Sequence, residues 1–507
     1  MAAVAKGGAV AALGTVGGLL LKLASGVIVI RILEKSEFGL ISLGYVLISV
    51  TTALLIFGIG DGLPRFIAQV RIRESGEVNV GELVGTSLVI SLVACFLGVY
   101  GISVFDGQIA ASMSKPALEP VISAFAWMIP PLILTRNLSA VFQGLQYARP
   151  KVIFEDWAAD IVRLLLIIAF VFVGVTFESV ISAYVISVWV AFLSYAVYSM
   201  RYFHSRVPLS INVDRGRELL AFSLPLLAVS LVNKISAWSG IAILGFSQTA
   251  SEIAIYNGPV RVVAILLVPL TSLGFIYTPA STRLFTASDN DGLRALYVST
   301  TKWASIICLC IAAFFIADAD FVVTLLFGED YAESANILRV FSIGYCFHTL
   351  AGPNGATLIS VGETKKIFLS TFLGGMTAIV VSLMLVGTTG AMGVAIGTSC
   401  GMISSNLLLS FFLFRTTGIH GFTSGNLCVL FVAATICVVW FFTMNWVPID
   451  EWLLHFFVSI VFGIAILTSP FWLKQISKSD MEMIGSIEEK FTKSKKWSIR
   501  ISKNLRL

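Results

Sequence analysis

Residues 81–104, GELVGTSLVISLVACFLGVYGISV, carry a single charge, Glu82. A helix rises about 1.5 Å per residue, so this stretch reaches about 36 Å, enough to cross a hydrocarbon layer of about 30 Å. Lipid offers no partner to backbone N–H and C=O groups, so an apolar run this long is read as helix. Thirteen further segments pass the same test: 8–30, 38–60, 119–143, 153–175, 178–200, 218–246, 252–280, 300–327, 334–360, 367–387, 390–414, 424–444 and 451–473. The predicted fold is therefore an all-α polytopic membrane protein with 14 transmembrane helices.

Composition agrees. Of 507 residues 57% are apolar and 12% charged, with a mean hydropathy of +0.92. Soluble domains carry about a quarter charged residues, so a cytosolic enzyme, a nucleic-acid module and a secreted disulfide scaffold are excluded. The seven cysteines all lie in apolar runs with no Cys-x-x-Cys pair, and they are read as free thiols packing as small hydrophobes. Four scattered histidines give no metal-ligand spacing. No cleavage pattern precedes the first apolar run, which is read as the first span and not as a signal peptide.

The net charge of +5 matters less than where the charges sit. Of the 34 Lys and Arg residues, 25 fall in short loops or tails on the side of the N-terminus, nine of them between Lys474 and Leu507. Only Arg31, Lys35 and Lys115 fall on the opposite side, and six lie within spans. The positive-inside rule then places both termini in the cytoplasm of a cell-membrane protein. The basic tail from Lys474, with Trp497 and Ile501 interleaved, reads as a solvated or surface-lying segment, with a dock for anionic lipid as the alternative.

The chain also resembles itself at an offset of about 215 residues. SEFGLI at 36–41 faces SEIAIY at 251–256, Pro64 faces Pro279, and KVIF at 151–154 faces KKIF at 365–368. An offset of six spans keeps both copies parallel, and transporters built of parallel repeats hold their substrate between the halves near mid-depth. The expected organisation is two parallel six-helix bundles around a central cavity (1–205 and 206–418). Two further helices (419–473) and a basic cytoplasmic tail (474–507) follow.

Charges inside the spans point to a ligand. A charge near the bilayer centre costs about 2.5–3.5 kcal/mol on insertion scales, so it must face water, a partner or the bundle interior. Lys22, Arg136, Arg163, Lys234 and Arg261 sit several residues inside their spans. Asp160 stands three residues before Arg163 on the same helical face, with Asp156 four before that, so Arg163 either pairs with Asp160 or contacts ligand. Arg339 lies about one turn from the outer surface, where it either snorkels or serves the site. Lys22 and Lys234 occupy the equivalent first helices of the two repeats, as expected if both offer a cation to one ligand. Asn233 and Asn257 either add hydrogen bonds to it or bridge helices. With Asp160 the lone mid-membrane carboxylate, about four cations stand unneutralised, which suits an anion such as phosphate.

Three stretches carry a family resemblance. RILEKSEFGLISL at 31–43 resembles the signature that closes the first span of polysaccharide exporters. LFGEDYAESANILRVFS at 326–342 is similar to the family's stretch leading into span 10, and G-x-T-K-K at 362–366 resembles its short basic loop. The resemblance implies the lipid-linked oligosaccharide flippases of the multidrug/oligosaccharidyl-lipid/polysaccharide exporter superfamily, with two six-helix lobes working by alternating access on polyprenyl-(pyro)phosphate-linked sugars. Arg31 and Arg339 match the family's basic positions; Lys22, Lys234 and Arg261 belong to none of these motifs. Gly26, Gly60, Pro130, Pro131, Pro225 and Pro269 are candidate bending points or packing contacts.

The expected partners are a lipid-linked anionic oligosaccharide and membrane lipids, with glycan-assembly enzymes as further candidates, no nucleic acid and no cofactor. A monomer is expected. A cation or drug antiporter shares the architecture but calls for bare carboxylates in the membrane. A membrane glycosyltransferase or polymerase, the third reading, needs acidic residues on a large outer loop, and the loop at 105–118 holds only Asp106. A scaffolding protein has no need of buried cations. Without a phosphate-binding G-x-x-x-x-G-K-[ST] loop, the expected driving force is an ion gradient, membrane potential or downhill flow.

Overall fold

The computed structural model describes residues 2–73, 77–203, 210–421, 423–446, 452–476 and 480–481. Among these residues all regular structure is helical. The first half forms α1 (Ala2–Ile32), α2 (Lys35–Leu55), α3 (Ile59–Arg73), α4 (Glu77–Ser112), α5 (Glu119–Ala126), α6 (Ile129–Gly144), a single turn α7 (Ala148–Pro150), α8 (Ala158–Val173), α9 (Phe177–Phe203) and α10 (Val213–Ser247). A π-helical stretch, Lys151–Trp157, joins α7 to α8. The second half forms α11 (Ala250–Val263), α12 (Val268–Thr286), α13 (Asn290–Ala317), α14 (Ala319–Phe327), α15 (Ser334–Leu350), α16 (Asn354–Ser360), α17 (Thr364–Thr417), α18 (Ser424–Trp446) and α19 (Trp452–Trp472).

The protein is an all-helical polytopic membrane protein. Each of the fourteen predicted segments falls on one helix, on helices joined by a short break, or on one arm of α17. Nine helices of the described residues are long and apolar enough to cross a bilayer, and the count is ten when the pair α5–α6, bent by 43°, is taken as one span. The bend precedes Pro130 and Pro131, which lack the N–H groups a continuous helix needs there. In α17 the chain turns at Gly390, with φ 56° and ψ −132°, between the two predicted spans. Between α2 and α3 the chain passes through Phe57 and Gly58 at φ 48° and 70°. A Cβ at Gly58 would stand 2.2 Å from the Ser223 carbonyl, so only glycine fits.

Residues 1–262, 326–334 and 375–398 form one compact unit; 263–325, 335–374 and 399–507 form a second. The first takes in α10 and most of α11 as well as the helices before them. Its core packs Leu63, Leu83, Val141, Phe142 and Tyr195. The second unit has two cores, one around Trp440, Ile306 and Val429 and one around Tyr277, Tyr297 and Leu413. Large apolar side chains such as Phe172, Phe431 and Met384 lie outside, as lipid-facing surfaces require.

Two of the family-like stretches meet in the first unit. Arg31 Nε donates to the Leu326 carbonyl at 3.0 Å and Lys35 Nζ to the Asp330 carbonyl at 2.8 Å. Glu34 and Glu37 close the N-terminus of α2 as a capping box. Arg31 thus ties a helix end in place and lies away from the cavity described below. In the second unit Arg339 bonds Asp320, the Asn336 side chain and the Ile316 carbonyl.

Lys302 is buried in that unit, bonded to Asp480 and to the Gln475 carbonyl. This pair ties the start of the tail to α13, although orientation counting treats both residues as loop or tail. Arg206 and the tail from 482 onward lie outside the described residues. All seven cysteines are free. Cys95, Cys308 and Cys346 are buried and Cys428 is exposed.

Candidate functional site

The first unit holds a cavity of about 730 Å³, lined by α1, α2, α3, α6, the π-helical stretch, α8, α9 and α10. Helical spacing accounts for much of the lining. On α10, Leu227, Ser230, Lys234, Ala237 and Trp238 form one stripe at intervals of three and four. On α2, Tyr45, Ser49 and Thr52 do the same.

Four cations and three carboxylates face this space: Lys22, Arg136, Arg163 and Lys234 against Asp61, Glu155 and Asp160. Arg136 bridges two acids, with Nη2 2.8 Å from Asp61 Oδ1 and Nη1 3.2 Å from Glu155 Oε1. Ser230 Oγ donates to the other Asp61 oxygen at 2.7 Å, which links α10 to this knot. Asp160 lies between Arg163 Nη1 at 3.2 Å and Lys22 Nζ at 3.9 Å. The Arg163 guanidinium also stacks on the Tyr184 ring, 4.4 Å from its centroid. Lys234 has no carboxylate or hydrogen-bond acceptor among the described residues, and Asn233 beside it is likewise unengaged.

These contacts correct the expectation of about four unneutralised cations and a lone acid. Three of the four cations have a carboxylate within 4 Å, and the lining carries an excess of one positive charge. Asp61 and Glu155 lie near the ends of predicted spans, 75 and 19 residues from Arg136, so no sequence window joins them. The turn at Phe57–Gly58 and the π-helical stretch bring them together. Arg136 is thus held by two carboxylates from other parts of the chain. Gly60 leaves it room, since a Cβ there would stand 2.7 Å from Arg136 Nε.

Other candidates stand apart from the lining. Arg261 passes Gly26 and rests 5.2 Å above the Phe38 ring. Its Nε is buried without a hydrogen-bond partner. Asn257 donates to Ser42 Oγ at 2.7 Å, so it bridges α11 to α2. Asp156 sits in the π-helical stretch, where its carbonyl packs against Gly18 of α1. Gly26 and Gly60, two of the candidate bending points, thus act as clearance for guanidinium groups. Proline at 130, 131 and 269 marks helix starts, whereas Pro225 sits inside α10.

Sequence reading misses the aromatic part of the wall. Tyr45 and Trp238 line the cavity with their rings edge-on, 6.2 Å apart. Their only sequence signal is position: each lies a whole number of helical turns from a polar lining residue. Among the described residues no group of three or more His, Cys, Asp or Glu side chains is placed to hold a metal.

Comparison with known proteins bears on this architecture. A stretch of 95 residues is 33% identical to a probable lipid II flippase, MurJ, of Thermotoga maritima, covering 18% of this chain and 20% of that relative's length. A solved lipid II flippase MurJ in an inward closed conformation superposes with a TM-score of 0.71 over 91% of this chain and 98% of its own, at 12% identity. An inward-facing multidrug resistance MATE transporter of the MOP superfamily gives 0.67 over 79% and 94%, at 17% identity. At these identities the likeness to the solved structures is one of fold. Residues 4–285 match the model of a family described as polysaccharide biosynthesis protein. With more than half its length matched, the chain belongs to the polysaccharide biosynthesis protein family and has the fold of the MOP superfamily.

Proposed function

We propose that this protein moves a polyprenyl-(pyro)phosphate-linked oligosaccharide across the cytoplasmic membrane by alternating access, for surface glycan assembly. A phosphate–sugar head group cannot shed its water into about 30 Å of hydrocarbon. A wet cavity with spare positive charge replaces that water while the isoprenoid tail stays in lipid. The observation that carries the reading is Lys234, a cation without a counter-ion among the described residues, on a lining that already holds Lys22, Arg136 and Arg163. The 95-residue stretch that is 33% identical to a probable lipid II flippase supports it. Transport changes no covalent bond, so the reading is of a carrier and not an enzyme. It places both termini in the cytoplasm.

The test is reconstitution of the full chain in liposomes with a fluorescent polyprenyl phosphate carrying one sugar. Wild-type protein is expected to carry the probe between leaflets, and the Lys22→Gln, Lys234→Gln double variant, equally well folded, is expected to lose most of that activity. Undiminished movement by the double variant sinks the reading. The second reading, an ion-coupled multidrug antiporter, is favoured by one observation, the three carboxylates on the cavity wall. Uptake of an organic cation such as ethidium by the same liposomes, lost in Asp61→Asn, would favour it instead.

A further inference from the structure

The cavity is polarised along α10. At Ser230 the wall is ionic, joined to Asp61 and so to Arg136 and Glu155. Eight residues on, at Trp238, it is aromatic. Lys234 stands midway, one turn from each, a rise of about 6 Å either way. Tyr45 meets Trp238 at a 70° interplanar angle, and its other side meets Tyr184, the ring that carries the Arg163 guanidinium.

We infer that Trp238 and Tyr45 form a saccharide subsite that reads the sugar joined to the phosphate, a step that rests on the anionic-lipid reading above. A pyranose presents a face of C–H bonds, slightly positive, to the negative face of an aromatic ring, while its hydroxyls need hydrogen-bond partners at the ring's rim. Both conditions are met here. The indole N–H of Trp238 and the hydroxyl of Tyr45 have no protein partner among the described residues, and neither is sealed away from the cavity. A sugar linked to phosphate through its anomeric oxygen puts ring and anion side by side, as one turn of α10 puts Trp238 and Lys234. A purely structural pair, packing α2 against α10, has no use for two unpaired polar groups at a wet wall.

The experiment measures binding of two probes to the full chain in nanodiscs: a polyprenyl phosphate, and the same lipid carrying one hexose on the phosphate. Wild-type protein is expected to hold the glycosylated probe about tenfold more tightly. Trp238→Leu and Tyr45→Leu should erase that preference and leave the bare lipid phosphate bound as before. Trp238→Phe, which keeps a ring, should retain most of it, and Lys234→Gln should weaken both probes alike. Equal loss of both probes in Trp238→Leu and Trp238→Phe marks a packing role and overturns the subsite. Equal binding of both probes by wild-type protein does so too, while leaving the anionic-lipid reading intact. If wild-type protein binds neither probe, that reading falls and takes the subsite with it.

Discussion

The two units handle buried charge in opposite ways. In the second, Asp480 is fully buried and receives bonds from Lys302, from Ser299 Oγ at 2.6 Å and from Trp303 Nε1 at 3.1 Å, while Lys302 also reaches the Gln475 carbonyl at 2.9 Å. In the first, Asp160 is also buried, yet its second cation, Lys22, stands 3.9 Å away with its side chain 59% exposed. A pair whose donors and acceptors are matched inside the protein has nothing left for a ligand. Loose contacts facing a cavity, with one cation to spare, keep that capacity. The presence of a lysine on an apolar helix does not separate the two, since Lys22 and Lys302 both sit on one; satisfaction does.

The comparison breaks most visibly at Lys302. Lys302→Met strands a buried carboxylate, and losing one partner of such a pair costs about 3–5 kcal/mol. Thermal unfolding of purified protein should show a large fall in Tm, and adding Asp480→Leu should recover most of it. In contrast, Lys22→Gln with Lys234→Gln should leave the melting curve near wild type while cutting translocation at least tenfold, a barrier change of about 1.4 kcal/mol or more. A wild-type Tm for Lys302→Met, or a collapsed one for the lysine double variant, erases the distinction between sealed and open charge.

Asp61→Asn sharpens the comparison from the acidic side. With one carboxylate fewer competing for Arg136, a bare polyprenyl phosphate should bind several-fold more tightly, whereas an organic cation should bind less well. Weaker binding of the lipid phosphate would mean that Asp61 holds Arg136 in its working position, and binding measured before and after the substitution decides. Gly58→Ala tests the turn that delivers Asp61. With φ at 70° and the Ser223 carbonyl in the way, it should cost about 1–3 kcal/mol in a denaturation measurement.

Hydropathy makes the spans legible because lipid forces every long apolar run into a helix, and Pro130–Pro131 even marks a break. The positive charges of the cavity are legible for the same reason, since a cation inside a span demands explanation. Their counter-ions are not. Asp61 and Glu155 sit where spans end, a place where acids are cheap, and only the fold turns them inward. Asp480 lies in a tail whose composition suggests solvent, and nothing local reveals that Ser299, Lys302 and Trp303 enclose it. Arg31 is legible as part of a family-like stretch, but its use, tying α1 to the Leu326 carbonyl 295 residues away, emerges only from contacts.

Arg261 sets the lower limit of the comparison. Mid-span position alone ranks it with Lys22 and Lys234 as a cation for the ligand, yet it lies behind the cavity wall, seated between Gly26 and the Phe38 ring. Its interaction there is a cation–π contact, worth about 0.5–2 kcal/mol. Arg261→Met keeps the long apolar stem that fills the space beside Gly26 and removes only the charge and its unpaired Nε. It should therefore lower stability by no more than about 1 kcal/mol and leave lipid-phosphate binding within twofold of wild type. A tenfold loss of binding with an unchanged melting curve would put Arg261 among the ligand's cations after all. Depth in the membrane, and not access to the cavity, would then be the property that selects the residues of this site.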